Sequence, residues 1–194
     1  MEILSKLFGS LARVKIMRLF LLNRGKGFKA QDVAKRSRVP AALARRELRL
    51  LGNTGFIRRS RGETWSFNPS FPYGLEIEEL LINSDTLDKK SISEDFKRLG
   101  KVKILILSGI FIKNKDSRVD LLVVGDKLRK NKVDEEVKKL EAEIGSELVY
   151  AVFDTKEFKY RLSMYDKLVR DILDFPHEVL FGASELSTQP PKQA

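Results

Sequence analysis

Two near-continuous apolar runs separated by a short charged loop constrain this chain more than anything else in it. They are "VKILILSGIFI" (102–112) and "VDLLVVG" (119–125). Neither approaches the ~20 residues that cross a bilayer. Both are too apolar for a strand with one wet face, so they predict strands buried on both sides, in a sheet covered by helices. The flanks supply those helices: "ISEDFKRLGK" before, and "KVDEEVKKLEAEIG" and then "KEFKYRLSMYDKLVRDILD" after, with a break expected near Ser163. "ELVYAVF" and "HEVLFG" predict two further strands, and Gly145 a helix stop.

The first third reads differently. From Glu2 to Leu22, apolar residues recur at helical spacing, which predicts one amphipathic helix with Gly9 packed closely inside it. "FKAQDVAKRSRV" and "PAALARRELRLL" predict two short helices. Pro40 stands at the start of the second, whose inner face is Leu43, Leu48 and Leu51. Phe56–Arg59 and Thr64–Phe67 flank a glycine-containing turn and predict a hairpin. "YGLEIEELLIN" predicts a linker helix. The organisation expected is a first domain over 1–70, a linker over 71–91, an α/β domain over 92–182 and a polar, disordered tail over 183–194. The fold class is α+β.

Charge separates the two parts. The net charge is +10, yet residues 1–70 hold 16 lysines and arginines against four acids, and the remainder 21 against 23. Such asymmetry predicts one module that meets a polyanion. Helix, helix-turn-helix and arginine-rich hairpin form the order of a winged helix, whose second helix enters the major groove of double-stranded DNA. On that helix Ala41, Ala42, Arg45, Arg46 and Arg49 fall opposite the leucines. Small residues at its start let the backbone approach the bases. Arginines reach phosphates or a guanine edge. Arg58, Arg59 and Arg61 belong to the wing, and Lys29, Lys35, Arg36 and Arg38 add phosphate contacts. Trp65 is expected to pack rather than stack on a base. A protein-docking scaffold is the rival use of the same module.

The stretch "LFGSLARVKIMRLFLLN…FKAQDVAKRSRVPAALARRELRLLGNTGFIRRSR" resembles winged-helix transcription regulators of the ArsR/MarR type, and more narrowly a subgroup fused to a nucleotidyltransferase-like domain. The resemblance covers Leu4 to Gly182. Nucleotidyltransferases of the DNA polymerase β superfamily carry Gly-Ser on one turn, Asp-x-Asp on the next strand and a third acid later. The three acids hold two Mg²⁺ ions. Here Gly109 is kept, Ile110 replaces Ser, Arg118 replaces the first Asp, and only Asp120 remains of the pair. Asp154 lies just beyond the later strand. An arginine at a ligand position repels Mg²⁺, so the resemblance implies a degenerate, catalytically inactive domain. It would serve dimerisation or ligand sensing in a transcriptional regulator.

Three readings of Asp120 stand. It pairs with Arg118 or a lysine; it borders a nucleotide or phosphate site built from Lys113, Lys115 and Arg118; or it serves an active Mg-dependent transferase. The lone His177 and the absence of cysteine predict no zinc site. No cofactor and no membrane contact are expected. A homodimer is, because specific regulators usually pair half-sites. Cytoplasmic location is expected from the missing cysteines and the charged N-terminus.

Overall fold

A computed structural model describes residues 2–60, 62–83, 88–114, 116–182 and 184. The chain folds as two compact units, of Met1–Asp88 with Lys138–Glu147, and of Lys89–Val137 with Leu148–Ala194. It is α+β with a mixed sheet. Among the described residues no helix is long and apolar enough to cross a membrane.

The first unit opens on α1 (Glu2–Leu7) and α2 (Leu11–Leu22). The single helix expected over Glu2–Leu22 is broken. Gly9 adopts φ +72°, a left-handed turn, and Ser10 caps α2 by accepting from the Arg13 N–H at 3.2 Å. A serine after a glycine is a start signal, and it overrides the apolar period that runs through it. α3 (Ala30–Arg36) and α4 (Ala41–Asn53) follow, joined by a turn in which Arg38 takes φ +50°. β1 (Ile57–Ser60) and β2 (Thr64–Phe67) pair antiparallel, and Phe28 bridges to Trp65 through two backbone hydrogen bonds of 2.8 and 2.9 Å. This is the arrangement of a winged helix-turn-helix. Its core is Val14, Ile16, Phe20, Leu48, Leu51, Phe56 and Ile57, all buried. α5 (Gly74–Glu78) continues into a π-helical turn, Glu79–Asn83.

The second unit carries α6 (Lys89–Lys97), β3 (Lys101–Leu107), β4 (Leu121–Asp126), β5 (Tyr150–Phe153), α8 (Thr155–Ser163), α9 (Lys167–Asp174) and β6 (Glu178–Phe181). α7 (Lys130–Ile144) counts with it up to Val137 and with the first unit from Lys138. Strand order is β5-β4-β3-β6, with β4 and β5 parallel and the other pairs antiparallel. Ile104, Ile106, Leu122 and Val124 pack with Phe153, Phe158, Val169 and Ile172. Leu105, Leu107, Leu121 and Val123, of opposite parity along the strands, are equally buried, which is why both strands read as unbroken apolar runs. The run 102–112 is not all strand. β3 ends at Leu107, and Gly109–Ile112 form a 3₁₀ turn. The tail read as disordered lies outside the described residues, apart from Ser184.

Candidate nucleic-acid interface

The second helix of the turn motif, α4, is amphipathic. Ala44, Leu48 and Leu51 are buried, Leu43 is half-buried, and Ala41, Ala42, Arg45, Arg46 and Arg49 are exposed. Glu47 is buried without being apolar. Its carboxylate accepts from Arg13 Nε at 2.8 Å and from Arg46 at 3.2 Å. Arg46 is therefore half-committed to the core, whereas the side chains of Arg45 and Arg49 make no hydrogen bond or ion pair with a described residue. Sequence reading missed Glu47, because a charged residue is seldom fully buried unless paired, and its partner lies 34 positions away.

On the hairpin, Arg58 is exposed and likewise unpaired among the described residues. Arg59 pairs with Glu63 at 3.2 Å and lies over the Trp65 ring. Arg61 lies outside the described residues. Trp65 packs: a Cβ on Gly52 of α4 would sit 2.8 Å from its ring, so the absent side chain makes room for the indole. Lys29, before α3, is exposed. Arg36 donates to Glu147 at 2.7 Å and lies over Phe28, while Arg38 is exposed on the turn between α3 and α4.

Residues 138–147 complete this unit. Arg18 of α2 is buried and donates to the backbone carbonyls of Leu81 and Glu143, both at 2.9 Å. Burial pulls its pKa down, and Glu143 pushes it back up. Asn23 donates to the carbonyl of Gly145 at 2.8 Å, and Lys15 pairs with the Glu143 carboxylate at 2.6 Å. The Glu143 carbonyl near the end of α7 and the Gly145 carbonyl just past it are thus satisfied by side chains of α2 and its C-cap residue. Gly145 stands at φ +93°, where a Cβ would meet the α2 backbone at 2.6 Å.

The second unit holds the residues resembling a nucleotidyltransferase site, and each is already engaged. Asp120 accepts from the Ile110 N–H at 2.8 Å through one oxygen and from the Val149 N–H at 2.9 Å through the other. Gly109 lies so close that a Cβ there would overlap the Asp120 carboxylate. Arg118 pairs with Asp171 of α9, not with Asp120. The expected Arg118–Asp120 pair, and a lysine in its place, are both absent among the described residues. The carboxylate is turned to two backbone donors that a strand end leaves over. Asp154 caps α8 by accepting from the Glu157 N–H at 2.8 Å. Lys113 and Arg118 are exposed, and Lys115 lies outside the described residues. His177 Nδ1 meets the Phe175 carbonyl at 2.9 Å. No group of three or more potential metal ligands occurs among the described residues.

No family model matches this chain, and no curated protein matches it. Among solved structures it is similar to the crystal structure of the Thermotoga maritima IclR, at 19% identity. The match covers 56% of this chain and 41% of that one, with a TM-score of 0.28, too low to bear on fold or activity.

Proposed function

We propose that this chain binds double-stranded DNA in a sequence-specific manner through α4 and the β1–β2 wing, and that it acts as a transcriptional regulator. One observation carries the reading: Arg45, Arg49 and Arg58 are exposed on α4 and the adjoining hairpin with no acid among the described residues engaging them. Surface arginines not needed for internal pairs are free to exchange counterions for phosphates. Arg46, Arg59 and Arg36 are a second set that must leave Glu47, Glu63 and Glu147 to reach a duplex. Ala41 and Ala42 place only methyl groups at the start of α4, where close approach to base edges is decided.

The second unit is proposed as catalytically inactive, serving dimerisation or the binding of a nucleotide or other small molecule. Two-metal transfer needs several free carboxylates. Here Asp120 and Asp154 are occupied by backbone N–H groups, and a cation stands at 118.

The test is fluorescence anisotropy of random-sequence and genomic duplexes against salt. Neutralising ~6 phosphates gives a log–log slope near −5. The variant Arg45→Ala/Arg49→Ala/Arg58→Ala should flatten it by about 3. A flat slope for the unaltered protein would sink the reading and favour a protein-docking role.

A further inference from the structure

The second unit holds 19 lysines and arginines against 15 acids, and the fold concentrates its cations. β3 enters the sheet at Lys101, and β4 leaves it at Asp126, its register partner. The chain then turns through Lys127, Arg129, Lys130 and Lys132 into α7. The two passages lie side by side: a Cβ on Gly100 would sit 3.7 Å from the Lys127 carbonyl oxygen and 3.6 Å from the Leu128 side chain. Segments 98–103 and 127–133 contain no acid. Lys101, Lys127, Arg129, Lys130 and Lys132 are all exposed, and none of their side chains is paired with a described residue.

The neighbouring acids are already engaged. Asp126 pairs with Lys103 at 3.0 Å, and Asp134 accepts from the Tyr150 hydroxyl at 2.7 Å. Lys130 and Lys132 stand in the first turn of α7 and Arg129 directly before it, where cations oppose the partial positive charge of a helix start and an external anion offsets it.

We infer that this corner of the sheet is a second phosphate-contacting surface for nucleic acid. The inference rests on the DNA-binding reading for the identity of the polyanion. The surroundings also favour nucleic acid over a lipid surface. Membrane-binding cations are accompanied by apolar side chains that insert. Between 97 and 132 no described large apolar residue is exposed, and the exposed ones of this unit, such as Tyr160, Met164 and Phe175, lie on other elements.

The experiment compares five forms of the whole chain by salt-dependent anisotropy on one duplex. They are the unaltered chain, the Arg45→Ala/Arg49→Ala/Arg58→Ala variant, a patch variant, its charge-retaining counterpart, and a control. The patch variant is Lys101→Gln/Lys127→Gln/Arg129→Gln/Lys130→Gln/Lys132→Gln. The control removes three exposed lysines elsewhere in the unit, Lys156→Gln/Lys159→Gln/Lys167→Gln. Loss of three to four phosphate contacts makes the patch slope less negative by about 3, with the control moving by less than about 1. Retaining charge, with Lys101, Lys127, Lys130 and Lys132 each changed to Arg, should restore the original slope and so separate charge from folding. A patch variant that behaves like the control overturns the inference. So does one that keeps its DNA slope but loses binding to phosphatidylserine vesicles. If the patch variant loses slope while the α4 and wing variant keeps it, the second surface stands and the helix-turn-helix reading fails.

Discussion

Gly145→Ala tests whether the end of α7 is fastened to α2. Two costs are separable. Alanine at φ +93° costs about 1–2 kcal/mol for its left-handed backbone. A Cβ 2.6 Å from the backbone of Arg18 and Leu19 and 2.9 Å from Arg18 Cβ meets atoms that cannot rotate away, and such overpacking costs about 1–3 kcal/mol more. The sum is about 3 kcal/mol, or a fall in Tm of about 6–12 °C for a chain of this size. Gly25→Ala is the matched control. Its φ is +84° with nothing within 4 Å, so only the backbone cost applies. Urea unfolding followed by the fluorescence of Trp65, the sole tryptophan and a member of the first unit, reads the difference. A Gly145→Ala penalty no larger than that of Gly25→Ala would refute the close approach and, with it, the docking of residues 138–147 on α2.

Asp120→Asn should destabilise the second unit by about 1–3 kcal/mol, since one of its two backbone donors then faces an amide N–H. Circular dichroism of thermal unfolding measures this, and the DNA slope should stay where it is; unchanged stability would contradict the anchoring role. Asp126 gives a pH dependence. Hydrogen bonding with Thr155 first, and then Lys103, holds its pKa down to about 2. Its contribution is therefore complete above the ordinary carboxylate range and is lost as pH falls from ~4 towards 2. Urea midpoints at pH 5, 4 and 3 should fall less steeply for Asp126→Asn than for the unaltered chain, and equal slopes would refute the assignment.

What the sequence disclosed depended on how local the cause was. The outer face of α4 follows from a 3.6-residue period, so the exposure of Arg45 and Arg49 was legible. β3 and β4 were legible because burial on both faces leaves an apolar run. Glu47 was not, since its burial depends on Arg13 from another helix. Nor was Arg118–Asp171, a pair 53 positions apart with many other acids nearer in sequence. Asp120 could be recognised as a poor metal ligand by its missing partner, but its two backbone donors follow only from where β4 begins. The cationic corner was hidden for a further reason: summing charge over a domain averages away what a β ladder brings together from positions 101 and 127.

The first unit also has a history in time. Its helix-turn-helix is encoded in the first third of the chain, yet Arg18, Asn23 and Arg36 wait for partners at Glu143, Gly145 and Glu147, more than 110 residues downstream. A chain emerging from the ribosome makes α2 through the hairpin long before those acceptors exist. Until they arrive, a buried guanidinium lacks one of its carbonyls, an expensive state for a charge in a core. Long-range closure of this kind slows a helical module that local contacts alone would fold quickly. The first unit is thus finished only when about half of the second unit has already been synthesised, so shorter chains that carry α4 but end before Glu143 are not equivalents of the folded first unit.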